Sequence, residues 1–145
     1  MTGIEISFDP ARIDRERVHR WLAEESYWAR GIVRSAFDRS IEHCLVAGAY
    51  ADGAQIGFAR AITDHATFAY LCDVFVDTAH RGQGIGGALV AAIIELPALH
   101  GLRRIALRTS DAHALYARFG FTPLATPELW MERYNSDFLK QQASR

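Results

Sequence analysis

The sequence has little of what marks disulfide-stapled, membrane-spanning or nucleic-acid-coating chains. Its 145 residues include only 2 cysteines and 4 prolines. Two cysteines make no disulfide scaffold, so stability must come from a packed core, and a reducing cytoplasm is the expected setting. The 16 Lys and Arg residues are balanced by 17 Asp and Glu, a formal net charge of −1. No basic excess points to nucleic acid, and with 50% of residues hydrophobic the chain is not disordered. Its longest uncharged apolar run is far too short to span a bilayer, and no signal peptide opens it. Repeats and linkers are also absent. The expectation is one domain over 1–145, with neither membrane nor nucleic acid as partner.

What is present centres on one stretch, Leu71 to Leu96, LCDVFVDTAHRGQGIGGALVAAIIEL. Leu71 to Val76 is apolar except for Asp73, the length and composition of a buried strand. Gly82, Gly84, Gly86 and Gly87 follow. Then Ile85, Ala88, Leu89, Ala92, Ile93 and Leu96 recur at helical spacing until Pro97. A strand, a glycine-rich loop and a helix form a phosphate-binding turn. The first helical N–H groups lack partners and sit at the positive end of the dipole, and glycines let an anion approach the backbone.

Spacing sorts the phosphate compounds. A P-loop needs Lys and Ser/Thr after its second glycine, but Ala88 and Leu89 follow Gly87. The dinucleotide pattern G-x-G-x-x-G is met literally by Gly82, Gly84 and Gly87. Residues 77–81 separate the strand from those glycines, however, and Asp111 lies beyond the next strand rather than at its tip, so a Rossmann-like domain is a weak alternative. Arg81 to Gly86, RGQGIG, resembles the Q/R-x-x-G-x-G/A pyrophosphate loop of the GNAT superfamily of N-acetyltransferases. Downstream, Ala112, Leu115, Tyr116, Gly120 and Phe121 resemble that family's A-x-x-L-Y-x-x-x-G-F segment. Two motifs in family order are far more specific than one glycine loop.

The resemblance implies a fold of the α/β (α+β) type: a mixed, mostly antiparallel sheet of six or seven strands with helices on both faces. It implies acetyl-CoA as cosubstrate, a small-molecule or peptide amine as acceptor, and direct attack of a primary amine on the thioester. A CoA-binding sensor without turnover is the alternative from another class. Family members often dimerise, so a homodimer is a further expectation. By the same resemblance the backbone of Arg81, Gly82, Gln83, Gly84, Ile85 and Gly86 holds the pyrophosphate. Phe75 and Val76 pair with the pantetheine arm, and a backbone N–H near Val74 or Phe75 serves the oxyanion. Tyr116 takes the place of the family's proton donor to the thiolate. Thr109 stands where many members have an asparagine touching pantetheine, which leaves one hydroxyl for that contact.

The rest of the chain supplies the frame. Glu5 to Phe8 reads as a first strand. Asp14 caps a helix carrying Val18, Trp21 and Leu22, and a second helical stretch runs from about Trp28 to Ser40, weakened by Gly31. The resembled family borders its acceptor pocket with this pair, so Trp21, Tyr27 and Trp28 either contact substrate or pack the core. Leu45–Tyr50 and Gln55–Thr63 flank the hairpin signal Ala51-Asp52-Gly53-Ala54, and a second turn at 64–66 leads into the strand ending at Val76. Arg104–Arg108 is a strand parallel to Leu71–Val76. Asp111 caps a helix Ala112–Phe119, Phe121 begins another strand, Leu129–Tyr134 is a last one, and the tail after Asn135 is loose.

Amide formation needs a neutral amine, donors for an oxyanion and a proton for the leaving thiolate. Asp73, a carboxylate in an apolar strand, either binds the acceptor's ammonium, accepts its proton, or pairs with Arg60 or Arg108. Asp64 and Glu25 are weaker acids for the task. His65, His80, Cys72 and Asp73 show no metal-ligand spacing, so no metal is expected. Cys72 as an acyl carrier is an outside reading, because burial raises a thiol's pKa. His80 and His113 are placed on the surface near the cofactor.

Overall fold

The computed structural model describes residues 3–143. A single sheet runs β1 (Ile4–Ser7), β2 (Leu45–Ala51), β3 (Ala54–Thr63), β4 (Phe68–Val76), β5 (Arg104–Ala106), in that spatial order. The first four strands are antiparallel neighbours. The β2–β3 turn needs left-handed backbone, which Asp52 (φ 50°) and Gly53 (φ 81°) provide. At the β3–β4 turn Asp64 accepts hydrogen bonds from the amides of Ala66, Thr67 and Phe68 and from the Thr67 hydroxyl. Those donors favour the ionised carboxylate and hold it well below the usual range. Asp64 is thus a turn-builder.

Each sheet face is covered by helices, as expected. Helix α3 (Ile85–Ile94) packs its Ile85, Leu89, Val90 and Ile93 on the small side chains Ala47, Ala49, Ala59, Ala61 and Ala69. A β-carbon at Gly57 would lie 2.9 Å from Leu89 Cδ1, so close helix–sheet approach requires glycine there. The other face meets α1 (Arg15–Arg20), its continuation as a π-turn over Trp21–Glu25, and α2 (Arg34–Glu42). Val18, Trp21, Leu22 and Phe37 are buried there against Val46, Phe58 and Phe75. Such residues contribute on the order of 1.5–3 kcal/mol each. The buried Gln55 ties this layer to the sheet, accepting from Asp14 N (2.7 Å) and donating to Gly57 O (2.9 Å).

Four local expectations need correction. Among the described residues the sheet has five strands, not six or seven: Phe121 opens no strand, and Leu129–Tyr134 is no strand. The chain instead makes a 3₁₀ turn at Pro127–Leu129 with Trp130 extended after it, and no ladder pairs with that stretch among the described residues. The second helix starts at Arg34, because Gly31 takes φ +86°, a conformation no right-handed helix contains. Helix α4 (His113–Ala117) is shorter than read, and its first turn is bound by Thr109 Oγ1, which accepts from Ala112 N at 3.0 Å, rather than by Asp111. The tail after Asn135 carries a last helix, α5 (Phe138–Ala143).

Candidate active site

The site begins with a defect in β4. Between Phe58 and Arg60 of β3 the register shifts, so that two steps on β3 match three on β4. Asp73 takes up the extra residue, with φ +56°. This is a β-bulge, which re-aims side chains and bends the strand. On the opposite edge β5 pairs only with Phe68, Ala69 and Tyr70. From Leu71 onward that edge of β4 has no strand beside it among the described residues.

Which groups face the opening follows from the register. Asp77 N donates to Ile56 O at 2.8 Å, which turns residues 77 and 75 toward β3. Val74 and Val76 therefore present their amides and carbonyls to the free edge. Phe75 does not, contrary to the expectation for its backbone. Its ring instead stacks on Trp21 at 5.4 Å and carries the Arg81 guanidinium at 5.0 Å. Arg81 Nε also donates to Val76 O at 3.0 Å, so its charge rests at the strand's end.

The glycine loop follows. Gly82 (φ +81°) and Gly84 (φ +79°) both take left-handed backbone, and Gly84 leads directly into α3. The first bond into the helix is Ala88 N to Gly84 O, 3.0 Å. The amides of residues 82–87, including Gln83, Ile85 and Gly86, find no acceptor among the described residues. A row of free N–H groups at the positive end of a ten-residue helix suits a diphosphate. Arg118 adds charge that spacing did not reveal: its Nη2 lies 3.9 Å from where a Gly87 β-carbon would sit. His80 is engaged nearby with Asp77 (3.3 Å), and His113 is exposed.

Tyr116 lies in α4 with its ring edge-on to Phe121 at 5.9 Å. Its hydroxyl has no hydrogen-bond partner among the described residues. Burial raises its pKa, and Tyr27, Asp111 and Cys72 push the same way. The phenol thus stays protonated. Tyr27 Oη accepts from Ser110 N at 3.2 Å and so joins the first helical layer to the β5–α4 loop.

Asp73 is fully engaged. Arg60 Nε donates to Oδ2 at 2.6 Å and Trp28 Nε1 donates to Oδ1 at 2.7 Å. The pair is sequestered, with side-chain exposures of 15% for Arg60 and 10% for Asp73. Of the two arginines weighed as partners, Arg60 is the one found. The Arg60 guanidinium stays charged despite burial, because the carboxylate beside it raises its pKa. Trp28 meets Tyr27 edge-to-face at 4.9 Å, and both rings are exposed, whereas Trp21 is buried in the core. Glu25 accepts from Thr78 Oγ1 at 3.1 Å at the far end of β4. The Cys72 thiol is pushed up to about 12 by burial, which leaves almost no thiolate at neutral pH. No cluster able to hold a metal occurs among the described residues.

An open strand edge beside a helix-capping amide cradle suits an extended ligand that carries a diphosphate. Comparison with known proteins gives the family. The Acetyltransferase (GNAT) family profile matches residues 10–121, and the chain belongs to that family. A crystal structure of a candidate GNAT acetyltransferase from Xanthomonas campestris is 48% identical, with a TM-score of 0.90 over 93% of this chain and 95% of that one. A candidate acetyltransferase of Gibberella zeae is 27% identical over 78% of this chain and 75% of its own length. A histone acetyltransferase of Glycine max is 39% identical over 50% of this chain, which spans only 31% of that protein. The chain is an acetyltransferase, and its family uses acetyl-CoA. Among the described residues no helix is long and apolar enough to cross a membrane.

Proposed function

We propose that the chain acetylates a primary amine from acetyl-CoA by direct attack, with Tyr116 as the proton donor. The observation that carries this reading is the conjunction of free amides at 82–87 with an open β4 edge at Val74 and Val76. Acetyl-CoA supplies an activated acyl thioester. The amides of residues 82–87, helped by Arg81 and Arg118, bind and orient the diphosphate. The Val74 peptide group and the Val76 N–H pair with the amide-bearing pantetheine arm as with an added strand, while the Val76 carbonyl holds Arg81. The Val74 N–H, beside the Asp73 bulge, is aimed where carbonyl charge develops. Thr109 Oγ1, already accepting from Ala112, has its own proton left to give the arm. As the C–N bond forms and the C–S bond breaks, Tyr116 Oη gives its proton to the departing sulfur, and the proton shed by the nitrogen returns through solvent to the phenolate.

Asp73 takes a different part from either acid–base role. Arg60 matches its charge and Trp28 occupies its second oxygen, so it positions the Trp28 ring rather than drawing in an ammonium. The exposed Tyr27–Trp28 pair then forms the wall an acceptor meets. Such a wall favours an amine borne on an apolar or aromatic stem over a bare polyamine. The name of the Glycine max relative adds histones to the candidates.

The test is thiol release from acetyl-CoA across amines that include aryl-alkylamines, amino acids, polyamines and lysine peptides. Replacing the donor by Tyr116→Phe should lower kcat roughly 100-fold, with acetyl-CoA affinity little changed. Undiminished turnover in that variant removes Tyr116 from the acid role. Calorimetric acetyl-CoA binding without thiol release from any amine would instead favour the sensor. The sign of the pH effect is also set. Burial disfavours the phenolate, so loss of the Tyr116 proton should not limit kcat until above its ordinary value of 10.0.

A further inference from the structure

We infer that the acceptor carries a carboxylate as well as its amine, and that Arg108 and the Tyr70 hydroxyl receive that carboxylate. This rests on the acetyl-transfer reading above and narrows its acceptor to amino acids with an aromatic or apolar side chain. The register fixes the place. Tyr70 lies opposite Ile62 on β3 and Ala106 on β5, and Cys72 lies opposite Arg60. These side chains therefore share the sheet face on which Phe58 and Phe75 meet α1 and α2. One further alternation past Ala106 brings Arg108 to the same face, beside Tyr70 and Cys72. The helices cover only the near half of that face. In the far half Ile62 is 46% exposed, and Tyr70 and Cys72 are half-buried.

Two polar groups in this uncovered half have no use within the fold. The Tyr70 hydroxyl has no hydrogen-bond partner among the described residues, and the exposed Arg108 guanidinium has neither a hydrogen bond nor an ion pair there. Burial and Cys72 raise the Tyr70 pKa while Arg108 lowers it, so the two groups are electrostatic neighbours. Nearby charges are already matched or covered. Arg60 neutralises Asp73, and Arg104 lies over the Trp130 ring at 5.1 Å. What remains is an unmatched cation beside a phenolic donor. A guanidinium presents a planar fork that fits a carboxylate, and the hydroxyl adds a further donor. The chemistry is close by. Cys72 acts on Tyr116 as well as on Tyr70, so the proton donor and the carboxylate site flank the same residue. Above it Trp28 is pinned by Asp73, and Tyr27 by Ser110 N. An amino acid laid across Cys72, amine toward Tyr116 and carboxylate toward Arg108, sets its side chain against those rings.

The test is thiol release from acetyl-CoA with L-phenylalanine, L-tryptophan and L-leucine, each beside its carboxamide, together with calorimetry of the same ligands on the CoA-loaded chain. The best of these amino acids should exceed its amide in kcat/KM by roughly 10- to 100-fold, with the difference lying in KM. Arg108→Met should erase that preference while binding acetyl-CoA as before. Arg108→Lys should restore part of it, and Tyr70→Phe should lessen it. Equal kcat/KM for acid and amide, or a preference that survives Arg108→Met, overturns the carboxylate site and leaves acetyl transfer standing. Thiol release from no amine at all overturns acetyl transfer instead. Calorimetry then decides the site: acid bound more tightly than amide, and no longer so in Arg108→Met, supports it, and equal binding of the two overturns it.

Discussion

On one side of the β4 bulge the site is made of backbone, on the other of side chains. Toward α3 the groups of the proposed site are the amides of 82–87 and the free edge at Val74 and Val76, with glycines as the enabling residues. Toward α1 and α2 they are Tyr27, Trp28, Asp73 and Arg60, drawn from two layers, with hydrogen bonds on Asp73 that reach across 45 residues of sequence to Trp28. A backbone site binds what every family member shares. A side-chain site can be altered one residue at a time, and the proposed function puts acceptor choice there. The bulge lies between the two sides: the β4 edge is free from Leu71 onward among the described residues, and Asp73 at the bulge pairs with Arg60.

The sharpest way to break that contrast is on the side-chain half. Arg60→Met leaves the Asp73 carboxylate buried without its cation, and losing one partner of such a pair costs roughly 3–5 kcal/mol. Urea unfolding should record that loss, and adding Asp73→Asn should return much of it. A change below about 1 kcal/mol would mean the pair is not what stabilises the bulged β3–β4 junction.

The backbone half answers to a different substitution. Gly84→Val puts a β-branched residue at φ +79° in front of α3. The strain is about 1–3 kcal/mol, so acetyl-CoA affinity by calorimetry should fall on the order of 10- to 100-fold. The fold should survive, because no atom lies within 4 Å of a β-carbon there. Unchanged affinity would transfer the diphosphate from these amides to side chains such as Arg81 and Arg118.

The smallest effect is predicted at Cys72, between the two halves. Because burial raises its pKa to about 12, iodoacetamide at pH 8 should modify it slowly, and Cys72→Ala should keep turnover within about twofold. Rapid alkylation with loss of activity would reopen the acyl-carrier reading.

The two halves were also unequally legible. Glycine spacing and helical periodicity are local signals, so the loop and α3 could be read directly from residues 71–96. The partner of Asp73 was not local: Arg60 and Arg108 were equally plausible until the β3–β4 register brought Arg60 across. Ring contacts of Tyr27 and Trp28 were likewise invisible, because Gly31 ends the segment where periodicity continued a helix. The strand pattern at Leu129–Tyr134 is real in composition, but a strand also needs a neighbouring edge, and one chain provides none in position.

By itself the sequence determined the hairpin turns, the amphipathic layers, the glycine cradle and the family, since each depends on residue type at short separation. Only tertiary structure decided that Phe75 turns its backbone inward, that Asp73 is held by Arg60 and Trp28, and that the sheet stops at five strands. Register and edge pairing are relations between distant segments. Their free energy comes from hydrogen bonds and burial that exist only once those segments meet.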